Sequence, residues 1–108
     1  MSQVAAVSAA DWDKEVLQAT VPVLVDFGAA WCPPCRRVAP EVDAVAAEMA
    51  GRAKVIQVDV DAEPEIAARY GVQRIPALLI FKAGTVVDQS DGFQPRGRIA
   101  ERLAAHAS

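Results

Sequence analysis

Two cysteines offer the clearest chemistry in this sequence. Cys32 and Cys35 are the only cysteines among 108 residues, and Pro33 and Pro34 separate them. Residues three apart on a helix lie on one face, so the two sulfurs can approach each other. If a helix begins at this pair, the free N–H groups and the dipole at its N-terminus favour a thiolate at Cys32. The pair therefore indicates a site where a disulfide forms and breaks.

Three other uses of a cysteine pair remain open. A zinc site usually needs four ligands, and the single histidine, His106, lies far along the chain. We therefore expect no metal held by one chain, although two chains could share an ion or a cluster. A structural disulfide that closes so short a loop constrains the unfolded chain little. An inert buried pair is the last alternative, and redox chemistry is favoured over all three.

The composition is typical of one globular domain that spans residues 1–108. The chain is 53% hydrophobic and 23% charged, and its net charge of −3 gives no reason to expect nucleic acid or an anionic membrane as a partner. No apolar stretch approaches the roughly 20 residues that span a bilayer. Residues 1–10 show no signal-peptide pattern. We therefore expect a cytoplasmic, reducing compartment, where a CxxC pair is more often catalytic or metal-binding than structural.

The elements that must position the cysteines follow from the apolar pattern. Val23 to Phe27 is nearly continuous apolar sequence, which is typical of a buried parallel strand, and a helical pattern runs from Arg36 to Ala50. The other predicted elements are strands at 4–7, 54–60, 77–81 and 85–90, and helices at 9–19, 64–70 and from Pro95 onward. We expect an α/β fold in which about four helices flank a mixed sheet of about five strands.

A set of residues in order along nearly the whole chain matches a known pattern. These are Val25-Asp26-Phe27, Ala29, Trp31-Cys32, Pro34-Cys35, Pro40, Val58, Asp59, Asp61, Tyr70-Gly71-Val72, Ile75-Pro76, Leu79, Phe81-Lys82 and Gly92. On these residues the sequence resembles the thioredoxin family. The resemblance implies the thioredoxin fold and a protein-disulfide reductase, with Cys32 as nucleophile and Cys35 as resolving thiol.

The same resemblance implies a substrate site and partners. Pro76 would be a cis-proline that faces the disulfide, joined to Ile75 by the cis peptide. The residues assigned to substrate binding are Trp31, Pro33, Pro34, Arg74, Ile75, Pro76 and Gly92. The implied partners are protein disulfides and an NADPH-dependent reductase. We expect a monomer that needs no bound cofactor and no metal.

Asp26 is the candidate proton acceptor for this chemistry. Cys35 lies three residues into the helix and should be buried, so it needs a base before it can attack. Asp26 lies inside an apolar strand, and burial raises the pKa of a carboxyl group. The alternative is a solvated carboxylate at the strand end. A buried carboxylate is costly unless it finds a partner or a proton, which favours a functional reason for this one.

Four positions depart from the family pattern. Gln57 stands where a lysine is usual near Asp26, so we expect a higher Asp26 pKa than a lysine-paired carboxyl would have. Pro33 replaces a glycine and removes a backbone donor, which predicts a less stabilised thiolate and a weaker oxidant. Gly28 and Ala77 replace a tryptophan and a threonine, which should alter the turn and the docking surface.

Two other functions fit the same residues. One is a thiol-disulfide oxidase or isomerase with the same fold, distinguished by reduction potential and compartment. The other is a redox-sensing binding domain without catalysis. The intact pair of Cys32 and Cys35 argues against the second function, and the missing signal peptide argues against the first.

Overall fold

The computed structural model describes residues 2–107, which form a mixed β-sheet with helices on both faces. The strands are β1 (Val23–Gly28), β2 (Lys54–Asp59), β3 (Ala77–Lys82) and β4 (Thr85–Asp91). The helices are α1 (Ala9–Trp12), continued by a π-helical segment (Asp13–Leu17), α2 (Pro33–Glu48), α3 (Pro64–Arg69) and α4 (Arg96–Ala104). The predicted α/β fold with a mixed sheet is confirmed. None of the helices within 2–107 is long and apolar enough to cross a membrane.

Strand β1 lies in the interior of the sheet, whose order is β2-β1-β3-β4. It runs parallel to β2 and antiparallel to β3, and β3 pairs with β4 as an antiparallel hairpin. Every residue of β1 is buried, as its continuous apolar sequence predicts for a strand covered on both faces. In this register Asp26 stands opposite Gln57 on one side and Leu78 on the other.

The first predicted strand, 4–7, is wrong as a full strand. This segment meets β2 only through one parallel bridge between Ala6 and Gln57, with two backbone hydrogen bonds of 2.9 Å. Helix α1 begins at Ala9, so the chain turns away before a longer ladder can form. The described residues therefore contain four strands, whereas the sequence predicted about five.

The two faces of the sheet carry separate apolar clusters. On one face, Phe27 packs with Trp12 of α1 and with residues of α3. On the other, Leu24 packs with Val42 of α2 and Leu103 of α4. Because side chains alternate along a strand, Asp26 points to the same face as Leu24, the face that α2 and α4 cover.

Helix α2 begins at Pro33, directly after Cys32, so the expectation that a helix opens on the cysteine pair is confirmed. Proline is tolerated in the first helical turn because the N–H that it lacks would have no intrahelical partner there. The helix therefore includes Cys35, and Cys32 caps its N-terminus. The cysteine pair thus lies where a buried strand, a short turn and a helix N-terminus meet.

Candidate active site

The two cysteines form a disulfide at the N-terminus of α2. Cys32 has an extended backbone at the N-cap position, and its Cα lies 5.2 Å from that of Cys35. Pro33 and Pro34 fill the first two helical positions and lack N–H groups, so the Cys35 N–H is the first donor of the helix. It donates to the Cys32 Sγ at 3.3 Å. This donor is placed to stabilise negative charge on the Cys32 sulfur.

The disulfide packs in a small apolar cluster of its own. Cys32 and Cys35 are buried with Ala29, and Val60 and Ile75 pack against them. The Cys32 Sγ lies 3.8 Å from the Ile75 carbonyl oxygen. Cys32 is 3% exposed and Cys35 1% exposed, so Cys32 is the more accessible of the two buried cysteines.

The turn before the helix is held by local hydrogen bonds. The Cys32 N–H donates to the Ala29 carbonyl at 3.2 Å, and the Arg36 guanidinium donates to the Ala30 carbonyl at 3.0 Å. Gly28, which stands in place of the tryptophan usual in the family pattern, is the last residue of β1. Arg36 therefore supports the turn from the first part of the helix.

Several predicted substrate-binding residues come together beside the disulfide. The Ile75–Pro76 peptide bond is cis, and the Gly92 N–H donates to the Pro76 carbonyl at 2.7 Å. Gly92 has a φ of +82°, a conformation that favours glycine. Ile75, Pro76 and Gly92 thus form one connected strip next to Cys32.

The structure gives less support for the place of Pro33, Pro34 and Arg74 in the predicted substrate-binding set. Pro33 is exposed and Pro34 is half-buried between the cysteines. Arg74 is exposed and directly precedes Ile75. Among the contacts of residues 2–107, no hydrogen bond or ion pair joins Arg74 to another predicted site residue. Its place in the site rests on sequence proximity alone.

Two exposed aromatic residues are sequence neighbours of the site: Trp31 directly precedes Cys32, and Phe93 directly follows Gly92. Trp31 is 64% exposed, and its indole N–H donates to a carboxylate oxygen of Asp61 at 2.7 Å. Phe93, directly after Gly92, is 44% exposed. Sequence reasoning named neither Asp61 nor Phe93 as a site residue. The position of Phe93 beside Gly92 was an available signal, whereas the Trp31–Asp61 contact depends on the tertiary fold.

Asp26 is buried under α2 without an ionic partner. Its side chain is 1% exposed, and within the described part of the chain its Oδ1 has no hydrogen-bond partner. Burial, reinforced by the Asp43 carboxylate, raises the pKa of Asp26 to about 7. The predicted burial is confirmed, and the alternative of a solvated carboxylate at the strand end is wrong.

Gln57 uses its donor away from Asp26. The Gln57 Nε2 donates to the carbonyls of Ser2 at 3.0 Å and Val4 at 2.8 Å. No lysine stands at this position, so β2 supplies no positive charge opposite Asp26. The expectation that this raises the Asp26 pKa above that of a lysine-paired carboxyl stays a prediction.

The site combines a disulfide at a helix N-terminus with a carboxyl group buried in the strand that leads to it. Nowhere within 2–107 do three or more His, Cys, Asp or Glu side chains cluster so as to hold a metal ion. A sulfur at a helix N-terminus, a second sulfur within bonding distance and a carboxyl group with a pKa near neutrality suit thiol-disulfide exchange.

Comparisons with known proteins point to the same chemistry. The model of the family described as Thioredoxin matches residues 3–105. Thioredoxin 1 of Nostoc sp. is 45% identical over 106 residues, which cover 98% of this chain and 99% of that protein. Thioredoxin 1 of Synechococcus elongatus is 46% identical with the same coverage. The thioredoxin of Staphylococcus aureus is 44% identical over 100 residues, or 93% of this chain and 94% of that protein.

Proposed function

The chain belongs to the thioredoxin family, and on that premise we propose how its residues divide the work of a protein-disulfide reductase. The chain is a thiol-disulfide oxidoreductase of the thioredoxin type. The family implies protein substrates and a reductase that returns electrons to the dithiol. The observation that carries the proposal is the disulfide between a capping Cys32 and a buried Cys35.

In the first step, the Cys32 thiolate attacks one sulfur of a substrate disulfide. A bond forms between Cys32 and that sulfur, and the other substrate sulfur leaves as a thiolate that takes a proton. The Cys35 N–H, at 3.3 Å from the Cys32 Sγ, supports this role because it donates to the attacking sulfur. The helix N-terminus adds its dipole in the same direction.

In the second step, Cys35 attacks the Cys32 sulfur of the mixed disulfide. The Cys35 thiol first gives its proton to the Asp26 carboxylate, and the resulting thiolate bonds to the Cys32 sulfur. The bond between Cys32 and the substrate sulfur breaks, and that sulfur leaves as a thiolate and takes up a proton from solvent. The product is the Cys32–Cys35 disulfide that the structure contains. An Asp26 pKa of about 7 supports the role, because both protonation states of the carboxyl are then populated near neutral pH.

We assign substrate docking to the surface around Cys32. Ile75, Pro76 and Gly92 supply a strip of connected backbone beside the sulfur. Trp31 and Phe93 add exposed apolar area that a docked protein would remove from water. Pro33, Pro34 and Arg74 complete the proposed surface, with Arg74 as the charged group that selects among partners.

The finer features of the proposal rest on resemblance. We propose that an NADPH-dependent thioredoxin reductase returns the electrons, and that the protein works as a monomer in the cytoplasm. We also propose that residues 1–108 form a single domain. The family match over residues 3–105 supports the last statement.

A trapping experiment tests the division of roles. In Cys35→Ser protein, the first step still occurs but the mixed disulfide cannot resolve, so a disulfide-containing substrate protein should stay bound until dithiothreitol is added. Cys32→Ser is the matched control and should trap almost nothing, because Cys35 is 1% exposed. Equal trapping by both variants, or none by Cys35→Ser, would contradict the proposal.

A further inference from the structure

Two buried oxygen atoms without partners belong to residues that pair across neighbouring strands. Within residues 2–107, the Asp26 Oδ1 and the Gln57 Oε1 are both buried and accept no hydrogen bond. Asp26 and Gln57 stand opposite each other in the parallel register of β1 and β2. Neighbouring strands lie about 4.8 Å apart, and paired residues project from the same face. The Asp26 and Gln57 side chains therefore project from neighbouring positions on the same face of the sheet, the face that α2 covers.

The orientation of the Gln57 carboxamide is fixed from its other end. Its Nε2 donates to the Ser2 and Val4 carbonyls, so the amide nitrogen points to the N-terminal segment and the oxygen does not. The Ser2 hydroxyl, a third buried group without a partner, makes no hydrogen bond to Gln57. The Gln57 oxygen can therefore only accept, and the neighbouring group that could donate to it is Asp26 in its protonated form.

We propose that Gln57 is a positioning residue for the proton of Asp26. Its Oε1 accepts a hydrogen bond from the protonated carboxyl, directly or through one bridging water, and repels the carboxylate when the proton leaves. Water can reach Gln57, because a cavity of about 210 Å³ opens beside it between Ala6, Ala30 and Asp59. The inference deepens the role proposed above for Asp26 and rests on it.

Other groups around Asp26 set the background against which Gln57 acts. On β3 the facing residue is the apolar Leu78, and on α2 the Asp43 carboxylate disfavours a second negative charge. Gln57 is thus the uncharged residue in direct register with Asp26. Replacing it by another uncharged residue changes hydrogen bonding to Asp26 without changing the local charge.

The direction in which the Asp26 pKa changes when Gln57 is replaced shows whether Gln57 accepts a hydrogen bond from the acid or donates one to the carboxylate. Replacing Gln57 by methionine keeps similar volume and removes the amide. Lost hydrogen bonding to the protonated acid lowers the Asp26 pKa, whereas a lost donor to the carboxylate would raise it, and so would the added apolar surface alone. We expect Gln57→Met to lower the pKa by about half to one pH unit, the effect of one ordinary hydrogen bond.

The test is a carbon-13 NMR titration of the disulfide form, in which neither cysteine titrates. The Asp26 side-chain carboxyl carbon is followed from pH 4 to 9 in wild type, Gln57→Met and Gln89→Met. Gln89 is exposed on β4 and serves as the matched control, with no expected change. A second readout is the infrared C=O stretch of the protonated Asp26, which should rise in frequency when the acceptor is removed.

A wild-type measurement keeps the test decisive if Gln57→Met fails to fold. The Gln57 side-chain carbonyl carbon should titrate with the same midpoint as Asp26, and a flat Gln57 signal overturns the inference. An unchanged or higher Asp26 pKa in Gln57→Met also overturns it. Either result leaves the role of Asp26 intact, because that role fails separately, if Asp26→Asn resolves mixed disulfides at the wild-type rate.

Discussion

The fold shifts the pKa values of two carboxyl groups on the same face of the sheet in opposite directions. Asp88 on β4 accepts two hydrogen bonds from Arg102 of α4, at 2.7 Å and 2.5 Å, and this pairing holds its pKa below the usual range. Asp26 on β1 is more deeply buried and has no such partner, so its pKa rises to about 7. Both carboxylates face the layer of α2 and α4, since Leu24, two residues before Asp26 on β1, and Ile80, which pairs with Asp88 across β3 and β4, pack there.

The difference shows that one fold can hold one carboxyl group in an ion pair and another as a buried group with a raised pKa. A guanidinium fork keeps Asp88 ionised at all physiological pH values, which ties β4 to α4 but leaves no proton to exchange. Asp26 forms no ion pair within residues 2–107 and is buried, so its pKa lies near neutrality and its ionisation costs stability. A buried carboxyl group with a raised pKa is a candidate functional group, and the predictions below test whether Asp26 acts as one.

The largest expected effect is on stability. Because the Asp26 pKa is about 7 in the folded protein and 3.8 for an unperturbed Asp, the folded state binds the proton more tightly than the unfolded state. Wild-type stability should therefore fall as the pH rises from about 4 to 8, by about 4 kcal/mol in full. Asp26→Asn should lack this fall. Urea unfolding of both disulfide forms at several pH values measures it.

If the free energies of unfolding of wild type and Asp26→Asn differ by the same amount at every pH in that range, Asp26 does not have a raised pKa. Asp88→Asn is the matched control, since it also replaces a carboxylate by its amide on the same face of the sheet. It should leave the fall in stability between pH 5 and 8 in place.

The next effect is on the resolving step. Asp26→Asn should slow the attack of Cys35 on the mixed disulfide by about 10²-fold at pH 7, since the carboxyl no longer takes the thiol proton. The attack of Cys32 on substrate should change much less. Rapid-quench kinetics under single-turnover conditions separates the two steps. Equal slowing of both steps would place Asp26 outside the resolving reaction.

A smaller effect, on the free energy of unfolding, is expected when Asp88 is replaced. Asp88→Asn should cost about 1 kcal/mol of unfolding free energy, because the ion pair is bidentate but partly exposed. The pKa of Asp88 is lowered in the folded protein, so this stabilisation is present above the unfolded pKa and is lost as the pH falls through the folded pKa. Denaturation at pH 7 and pH 3 measures it, with the reductase rate unchanged at pH 7. A slower rate would mean that Asp88 also acts in catalysis.

The smallest effect concerns the docking surface. Phe93→Ala should raise KM for a protein disulfide about two- to five-fold with little change in kcat, since less apolar area is buried on docking. Val87→Ala, an equally exposed apolar residue on β4, is the control and should leave KM unchanged. Steady-state reduction of a protein disulfide with a reductant in excess measures both. Matching KM values for the two variants would remove Phe93 from the docking surface.

The parts of the site that lie close in sequence could be predicted well. The apolar run around Asp26 indicated a strand buried on both faces, and its burial followed from that strand. The start of α2 at the cysteine pair also followed from the sequence, because proline is tolerated in a first helical turn and the apolar helical pattern continues from Arg36. The strand predicted for 4–7 failed because its apolar pattern gives no sign of how few residues meet β2 before α1 begins.

Contacts between distant residues could not be predicted. The hydrogen bonds from Gln57 to Ser2 and Val4 span more than 50 residues of sequence. The contact between Trp31 and Asp61 likewise joins two loops that only the fold brings together. These contacts orient groups without changing the apolar pattern, so no periodicity in the sequence reports them.

The reduction potential of the Cys32–Cys35 pair tests the reductase function most directly. Equilibration against dithiothreitol buffers at pH 7 gives the value. We predict a strongly reducing potential, comparable to the value of about −270 mV that is typical of thioredoxins, at which the dithiol donates electrons to most protein disulfides. A potential near about −120 mV, typical of a bacterial disulfide oxidase, would contradict this, because the dithiol would then be the stable form and the protein would oxidise its partners.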